Sequence, residues 1–211
     1  MSAAAGPERR EIALMAGVGL LLTGALVALT LRTEAPPAHA PSTPAPLEVG
    51  AALVGPITWT IDARSTDAWA FFDFSRGSTI ERPGPTDWDL AVRRFRIIVN
   101  GGPGFAGDGA LADLGEVPFD SVRTAPADGW IESTGVRVDS TNSAVRKWYA
   151  YGFTSHLLSP LPRVWAVRTA DGRYAKFEIL GYYCPGAQPG CLTIRYVYQG
   201  SGERSFVPDP E

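Results

Sequence analysis

Val164 to Tyr183 reads VWAVRTADGRYAKFEILGYY and Leu192 to Gly200 reads LTIRYVYQG, and the fold class turns on these two stretches. Both are dense in β-branched and aromatic residues and are bounded by Gly, Pro and Asp, the pattern of strands separated by tight turns. Val164 to Arg168, Tyr174 to Tyr183 and Leu192 to Tyr198 are read as strands, with Asp171-Gly172 as a hairpin turn. Moving toward the N-terminus, Ile57 to Ile61 (ITWTI) alternates, and Trp69 to Phe74 (WAFFDF) is aromatic and stops at Ser75-Arg76-Gly77. Trp88 to Val99 puts Trp88, Leu90 and Val92 on one face before the phase changes near Arg94, so one strand with a bulge is expected there. Residues 101 to 145, rich in Gly, Pro, Asp and Ser, predict long loops with one short helix.

After residue 35 no stretch sustains a helical period for ten residues, which disfavours βαβ architectures. With 23 Gly and 18 Pro in 211 residues, both above ordinary usage, turn-rich β structure is favoured. A net charge of -3 and an isoelectric point near 5.5 supply no electrostatic footprint for nucleic acid, so that partner class is set aside.

Ile12 to Leu31 is free of charge over twenty residues, and a helix rising ~1.5 Å per residue would cross the ~30 Å hydrocarbon core of a bilayer. Arg9 and Arg10 precede it, whereas Arg32 and Glu34 cancel, so the N-terminus is expected in the cytoplasm and the remainder in the periplasm of a bacterial inner membrane. The rival is a cleaved signal peptide, for which Ala38-His39-Ala40 has the A-x-A form, but the apolar run is longer than the ~7 to 15 residues of a signal core. Ala13, Gly17, Gly24 and Ala28 place small side chains along one helix face, where a neighbouring helix could approach closely. Gly and Ala are also simply common in membrane helices. The expected organisation is a tail over 1–11, a membrane helix over 12–31, a Pro-rich linker over 32–56 and a β-domain over 57–211. The linker, with prolines at 36, 37, 41, 44 and 46, predicts a polyproline II spacer without a core that stands the domain off the membrane.

The two cysteines, Cys184 and Cys191, bracket Pro-Gly-Ala-Gln-Pro-Gly, a segment that must turn, and a hairpin disulfide is expected. Such a bond belongs to an oxidising compartment. Zinc would need four ligands, which two cysteines without a nearby histidine do not supply.

The segments TDAWAFFDFSRGSTI, TDWDLAVRRFRIIVNGG, VWAVRTADGRYAKFEILGYY and LTIRYVYQG resemble the HmuY family of bacterial surface and periplasmic proteins over roughly residues 57 to 200. The most specific parts are Asp87-Trp88-Asp89-Leu90, Asn100-Gly101-Gly102 and Ala170 to Lys176. The resemblance implies an almost wholly β fold, an antiparallel sandwich or flattened barrel. It also implies haem as the family's ligand, held by two histidines. Only His156 lies in the expected domain, since His39 falls in the linker and both methionines lie at or inside the anchor. Tyr149, Tyr151, Tyr182 and Tyr183 are alternative iron ligands by chemistry and core residues by default. His156, within Thr154-Ser155-His156, is read as a surface or cap histidine, with haem binding as its sharper alternative.

Other motifs carry less. Gly102-Pro-Gly-Phe-Ala-Gly107 spells G-x-G-x-x-G, yet Pro103 and Asp108-Gly109 do not open a helix, so a dinucleotide site is not expected. Asp87 and Asp89 could act as a calcium or glycosidase pair. The plainer reading is an architectural pair balanced by Arg93, Arg94 and Arg96 in a surface ion-pair network. No Gly-x-Ser-x-Gly elbow accompanies His156. Trp148, Tyr149 and Tyr151 are the aromatic group expected to meet another protein or the membrane surface if exposed. Together these readings predict a non-catalytic, cofactor-free accessory subunit in the lipid bilayer. Its helix, linker and β-domain would contact other membrane subunits, and the overall resemblance points to a photosynthetic reaction-centre and light-harvesting assembly. The alternative is a tethered haem or tetrapyrrole binder with altered coordination.

Overall fold

The protein, a computed structural model, is described over residues 7–30, 35–43, 53–135 and 140–208. The tail over 1–6, Leu31, the charges at Arg32 and Glu34, and the linker from 44 to 52 lie outside the described residues. By its internal contacts the chain forms two units, one holding the residues up to Ala35 with Phe153–His156, the other Pro36–Gly152 with Leu157–Glu211.

Helix α1 runs Pro7–Thr30, starting on a proline, whose missing N–H costs nothing in a first turn. Its stretch Arg10–Ala28 is long and apolar enough to cross a membrane. Ile12, Leu14, Leu21 and Leu26 are all more than 60% exposed, so among the described residues the helix presents an apolar surface. Thr23 returns its hydroxyl to the Gly19 carbonyl at 2.8 Å, the usual way a polar side chain is satisfied without water.

The β-domain contains strands β1 (Leu53–Asp62), β2 (Ala70–Asp73), β3 (Ser78–Ile80), β4 (Leu90–Arg93), β5 (Arg96–Val99), β6 (Ala110–Asp113), β7 (Tyr149–Tyr151), β8 (Leu158–Pro160), β9 (Val164–Arg168), β10 (Tyr174–Cys184) and β11 (Gln188–Gln199). They form a five-stranded sheet in the order β1-β11-β10-β9-β6, a four-stranded sheet β3-β2-β4-β5 and a separate β7-β8 hairpin. All the ladders between these strands are antiparallel and the larger sheets stay open. The core lies where the two larger sheets face each other: Phe72 and Phe74 meet Tyr196 edge-on at 5.6 and 5.3 Å, and Trp165 stacks on Phe177 at 5.4 Å. Leu90, Val92, Ile97, Val99, Val167 and Ile194 fill the remainder with no exposed area. Alternation along each strand buries these residues together, and burial of this kind contributes ~25 cal/mol per Å² of apolar surface.

Three departures from the sequence reading have physical causes. The expected bulged strand over Trp88 to Val99 is a hairpin: Arg93 pairs with Arg96, and Arg94 turns the chain with φ 55°. An Arg-Phe turn carries none of the Asn-Gly signal of such hairpins. The turn is held from outside instead, by Arg94 N–H on the Ala63 carbonyl at 2.8 Å and Arg94 Nη1 on the Pro189 carbonyl at 2.9 Å. β1 begins at Leu53 rather than Ile57 because a bulge at Gly55-Pro56 interrupts the alternation without ending the strand. Short strand β6 occurs where a loop was expected, and β7 and β8 lie in a stretch to which no strand was assigned, each too brief to show a period.

The free spacer expected for the linker is also corrected. Residues 35–43 lie on the domain. His39 N–H donates to the Tyr183 carbonyl at 2.8 Å, Ala38 bridges Tyr183 in parallel, and Ser42 exchanges two bonds with Thr60 on edge strand β1 at 2.9 and 3.0 Å. The His39 ring rests over Gly181, where an added Cβ would come within 3.0 Å of the ring's Cδ2. The A-x-A signal-cleavage form, Ala38 to Ala40, is therefore part of this strap. The hairpin disulfide is present between Cys184 and Cys191, with Cα atoms 5.0 Å apart. Replacing both cysteines by serine is expected to lower unfolding stability by ~2–3 kcal/mol, the loop entropy released to the unfolded chain, measured by urea denaturation in detergent. Gly181→Val is expected to expel the strap and make residues 36–43 cleavable by limited proteolysis while the two sheets persist.

Candidate functional site

The three stretches with the most specific sequence patterns meet in one place. Asp89, just before β4, is buried; its Oδ2 accepts the N–H of Phe74 at 2.8 Å and its Oδ1 that of Ala170 at 2.7 Å. One carboxylate thus ties the end of β2 to the β9–β10 turn of the opposite sheet. Asn100, just after β5, donates its side-chain amide to the carbonyls of Pro85 and Trp88 at 2.9 and 3.0 Å. Its backbone N–H reaches the Asp89 carbonyl at 3.1 Å, and its own carbonyl accepts Gly109 N–H at 2.8 Å. Gly101 packs so closely on Gly109 that an added Cβ would lie within van der Waals overlap of the Gly109 backbone. In the third stretch, Asp108 N–H donates to the Ala170 carbonyl at 3.0 Å. Buried Lys176 donates to the carbonyls of Phe119 and Val122 at 2.8 and 2.7 Å.

This knot corrects the ion-pair expectation. Asp87 accepts Gly84 N–H at 3.0 Å and closes a turn. Arg93 lies over Trp69, Arg94 serves the hairpin turn and Arg96 lies over Phe95. The two aspartates are architectural, and the G-x-G-x-x-G string is a turn packed on this knot. Among the described residues no cluster of three or more His, Cys, Asp or Glu is placed to hold a metal ion.

Burial, with the neighbouring Asp73 charge, pushes the Asp89 carboxyl up to about 7, against the pull of its two backbone N–H donors. In the unfolded chain the same carboxyl titrates near ~3.9. Between those values the folded state holds the extra proton, so this contribution is full below ~3.9 and is lost as pH rises through about 7. Urea midpoints measured from pH 4 to 8 are expected to carry this fall in wild type and to lack it in Asp89→Asn. At pH 4 that variant is itself less stable by ~1–3 kcal/mol, because its amide opposes a backbone N–H. Gly101→Ala, with no room for its methyl group, is expected to cost at least ~3 kcal/mol.

The residues singled out for binding are distributed differently. Trp148 is buried, with its indole N–H on the Phe95 carbonyl at 2.9 Å, which removes it from the expected contact patch. Tyr149 is half-buried against Trp148 and Phe95, whereas Tyr151 is 54% exposed. Tyr182 is packed on Trp148, and burial raises its phenol to about 12, which makes a phenolate iron ligand costly. Tyr183 is buried; its hydroxyl accepts Leu158 N–H at 2.8 Å, and its backbone carbonyl holds His39. His156 is exposed in the loop between β7 and β8, with φ 56°. His39, assigned by sequence to the linker, is half-buried on the domain, a placement no local signal announced. Ala13, Gly17, Gly24 and Ala28 are all exposed on α1, and a Cβ added at either glycine meets nothing within 4 Å.

Two open antiparallel sheets, a buried carboxylate knot and a hairpin disulfide define a small β-sandwich module that follows an apolar helix in the chain. The chain belongs to the HmuY family, whose profile, HmuY protein, matches residues 65–196, more than half of its length. Solved structures share the fold. A protein described as HmuY-like and haem-binding from Bacteroides vulgatus is 23% identical, with TM-score 0.55 over 72% of this chain and 98% of its own. The apo HmuY analogue of Tannerella forsythia is 16% identical, with TM-score 0.58 over 71% and 98%. Apo PinO, whose source is given as Porphyromonas gingivitis, is 13% identical, with TM-score 0.54 over 68% and 97%. Among curated proteins none matches the chain.

Proposed function

We propose that this protein is a non-catalytic accessory subunit of a membrane protein assembly, anchored by α1 in a bacterial inner membrane with the β-sandwich on the periplasmic side. The observation that carries the reading is the helix: apolar, exposed along its length, and open at Gly17 and Gly24, where a second helix could come into backbone contact. The polar groups of the specific motifs are consumed in holding the two sheets together, which leaves them no part in turnover. The assembly we favour is a photosynthetic reaction-centre and light-harvesting complex, a choice supported by sequence resemblance alone. Purification from native membranes in mild detergent is expected to yield a stoichiometric complex. Gly17→Leu with Gly24→Leu is expected to release the protein from that complex while leaving it in the membrane fraction. A wild-type protein that always migrates alone would sink the reading.

A second reading, haem or tetrapyrrole binding, is favoured by one observation: His39 is part of the folded domain, so the chain offers two imidazoles outside its helix. The Bacteroides vulgatus neighbour is described as haem-binding. Titrating the full chain in detergent with haemin tests it. A stoichiometric Soret shift lost in both His39→Ala and His156→Ala supports a bis-histidine site, and no shift in wild type removes it.

A further inference from the structure

We infer that the β7–β8 hairpin is a second membrane contact, its tip seated in the lipid headgroup interface. The inference rests on the anchoring reading above. The first support is the strap. Were the linker free until β1, the 22 residues between Thr30 and Leu53 would reach ~80 Å when fully stretched. Docked as it is, the chain has only seven residues between Thr30 and Ala38, a connection of at most ~29 Å when fully stretched.

The second support is that the same residue holds the hairpin. Tyr183 binds the strap through its carbonyl and β8 through its hydroxyl, 2.8 Å in each case. The hairpin base therefore sits at the tethered point, with Gly152 N–H on the Leu157 carbonyl at 2.8 Å closing the tip.

Composition identifies the occupant. Trp148 to Pro162, WYAYGFTSHLLSPLP, contains no Asp, Glu, Lys or Arg, although charged residues make up 19% of the chain. At the tip Phe153 is 82% exposed and Tyr151 54%, a ring pair suited to a boundary that is apolar on one side and wet on the other. The charge-free stretch is flanked by Arg146 and Lys147, both exposed, and by Arg163, the arrangement that anionic headgroups attract. A protein partner would be expected to offer the polar pairing of an interface rim. The exposed residues Tyr151 and Phe153 are set in a stretch with no formal charge to meet one.

The test uses the full chain in vesicles of phosphatidylcholine with phosphatidylglycerol, carrying single nitroxide labels at Phe153→Cys, Leu21→Cys or Ser201→Cys. The native cysteines are bonded to each other and do not react. The label at 153 is expected to fall between the other two, more relaxed by oxygen and better shielded from a water-soluble nickel reagent than that at 201, and less so than that at 21. A label at 153 as open to nickel as that at 201, while 21 is shielded, overturns the hairpin contact alone. If 21 is also open to nickel, the anchoring reading falls and this inference with it. Shielding at 153 that appears only when a co-purified protein is present assigns the tip to a protein partner and likewise overturns it.

Discussion

A single buried carboxylate joins the two sheets. Asp89 accepts the N–H of Phe74 from one sheet and that of Ala170 from the other, at 2.8 and 2.7 Å. Both donors are backbone groups that would otherwise be buried without a partner, each costing on the order of 1–3 kcal/mol. The aromatic contacts between the sheets, Phe72 and Phe74 on Tyr196, tolerate small shifts, whereas a carboxylate bridging two N–H groups does not. The register of β2 against the β9–β10 turn is therefore set by Asp89, and Asn100 and Gly101 fit into the space that this register leaves.

The legible parts of the fold were those whose period survives several residues. The alternation in β1, the aromatic run of β2 and the β-branched and aromatic runs of β9, β10 and β11 place five strands, because turn residues bound each run. The cysteine pair was legible because a Pro-Gly turn allows only a hairpin. What could not be read depends on distant partners. Arg94 adopts φ 55° because the Ala63 and Pro189 carbonyls hold it, from residues some thirty and ninety-five positions away. The strap was hidden for the same reason: Pro and Ala predict an uncommitted chain, and what captures it is the bare backbone of Gly181 together with the carbonyl of Tyr183. Aspartates near arginines were misread as ion pairs because composition shows which charges exist and burial decides which are satisfied by backbone.

The strap changes what the linker does. A proline-rich spacer ordinarily separates two bodies and lets each diffuse in the other's neighbourhood. Here its first half is folded onto the domain, so only a short length remains to join the apolar helix to the sandwich. A membrane helix is fixed in depth by its apolar length, and a short tether passes that constraint to whatever it holds.

Family membership has to be interpreted with the knot in view. The motifs on which the sequence resemblance rests, Asp87 to Leu90, Asn100 to Gly102 and Ala170 to Lys176, are occupied in closing turns and joining sheets. The two histidines outside the helix lie in none of these motifs: His39 is on the strap and His156 in a hairpin loop. Shared architecture is thus carried by residues other than these two histidines. A sequence retains the first as long as its buried hydrogen bonds are kept, while surface loops and added segments are free to diverge. The apolar helix, the strap and the charge-free hairpin all belong to that second category, and the anchoring role proposed above rests on them.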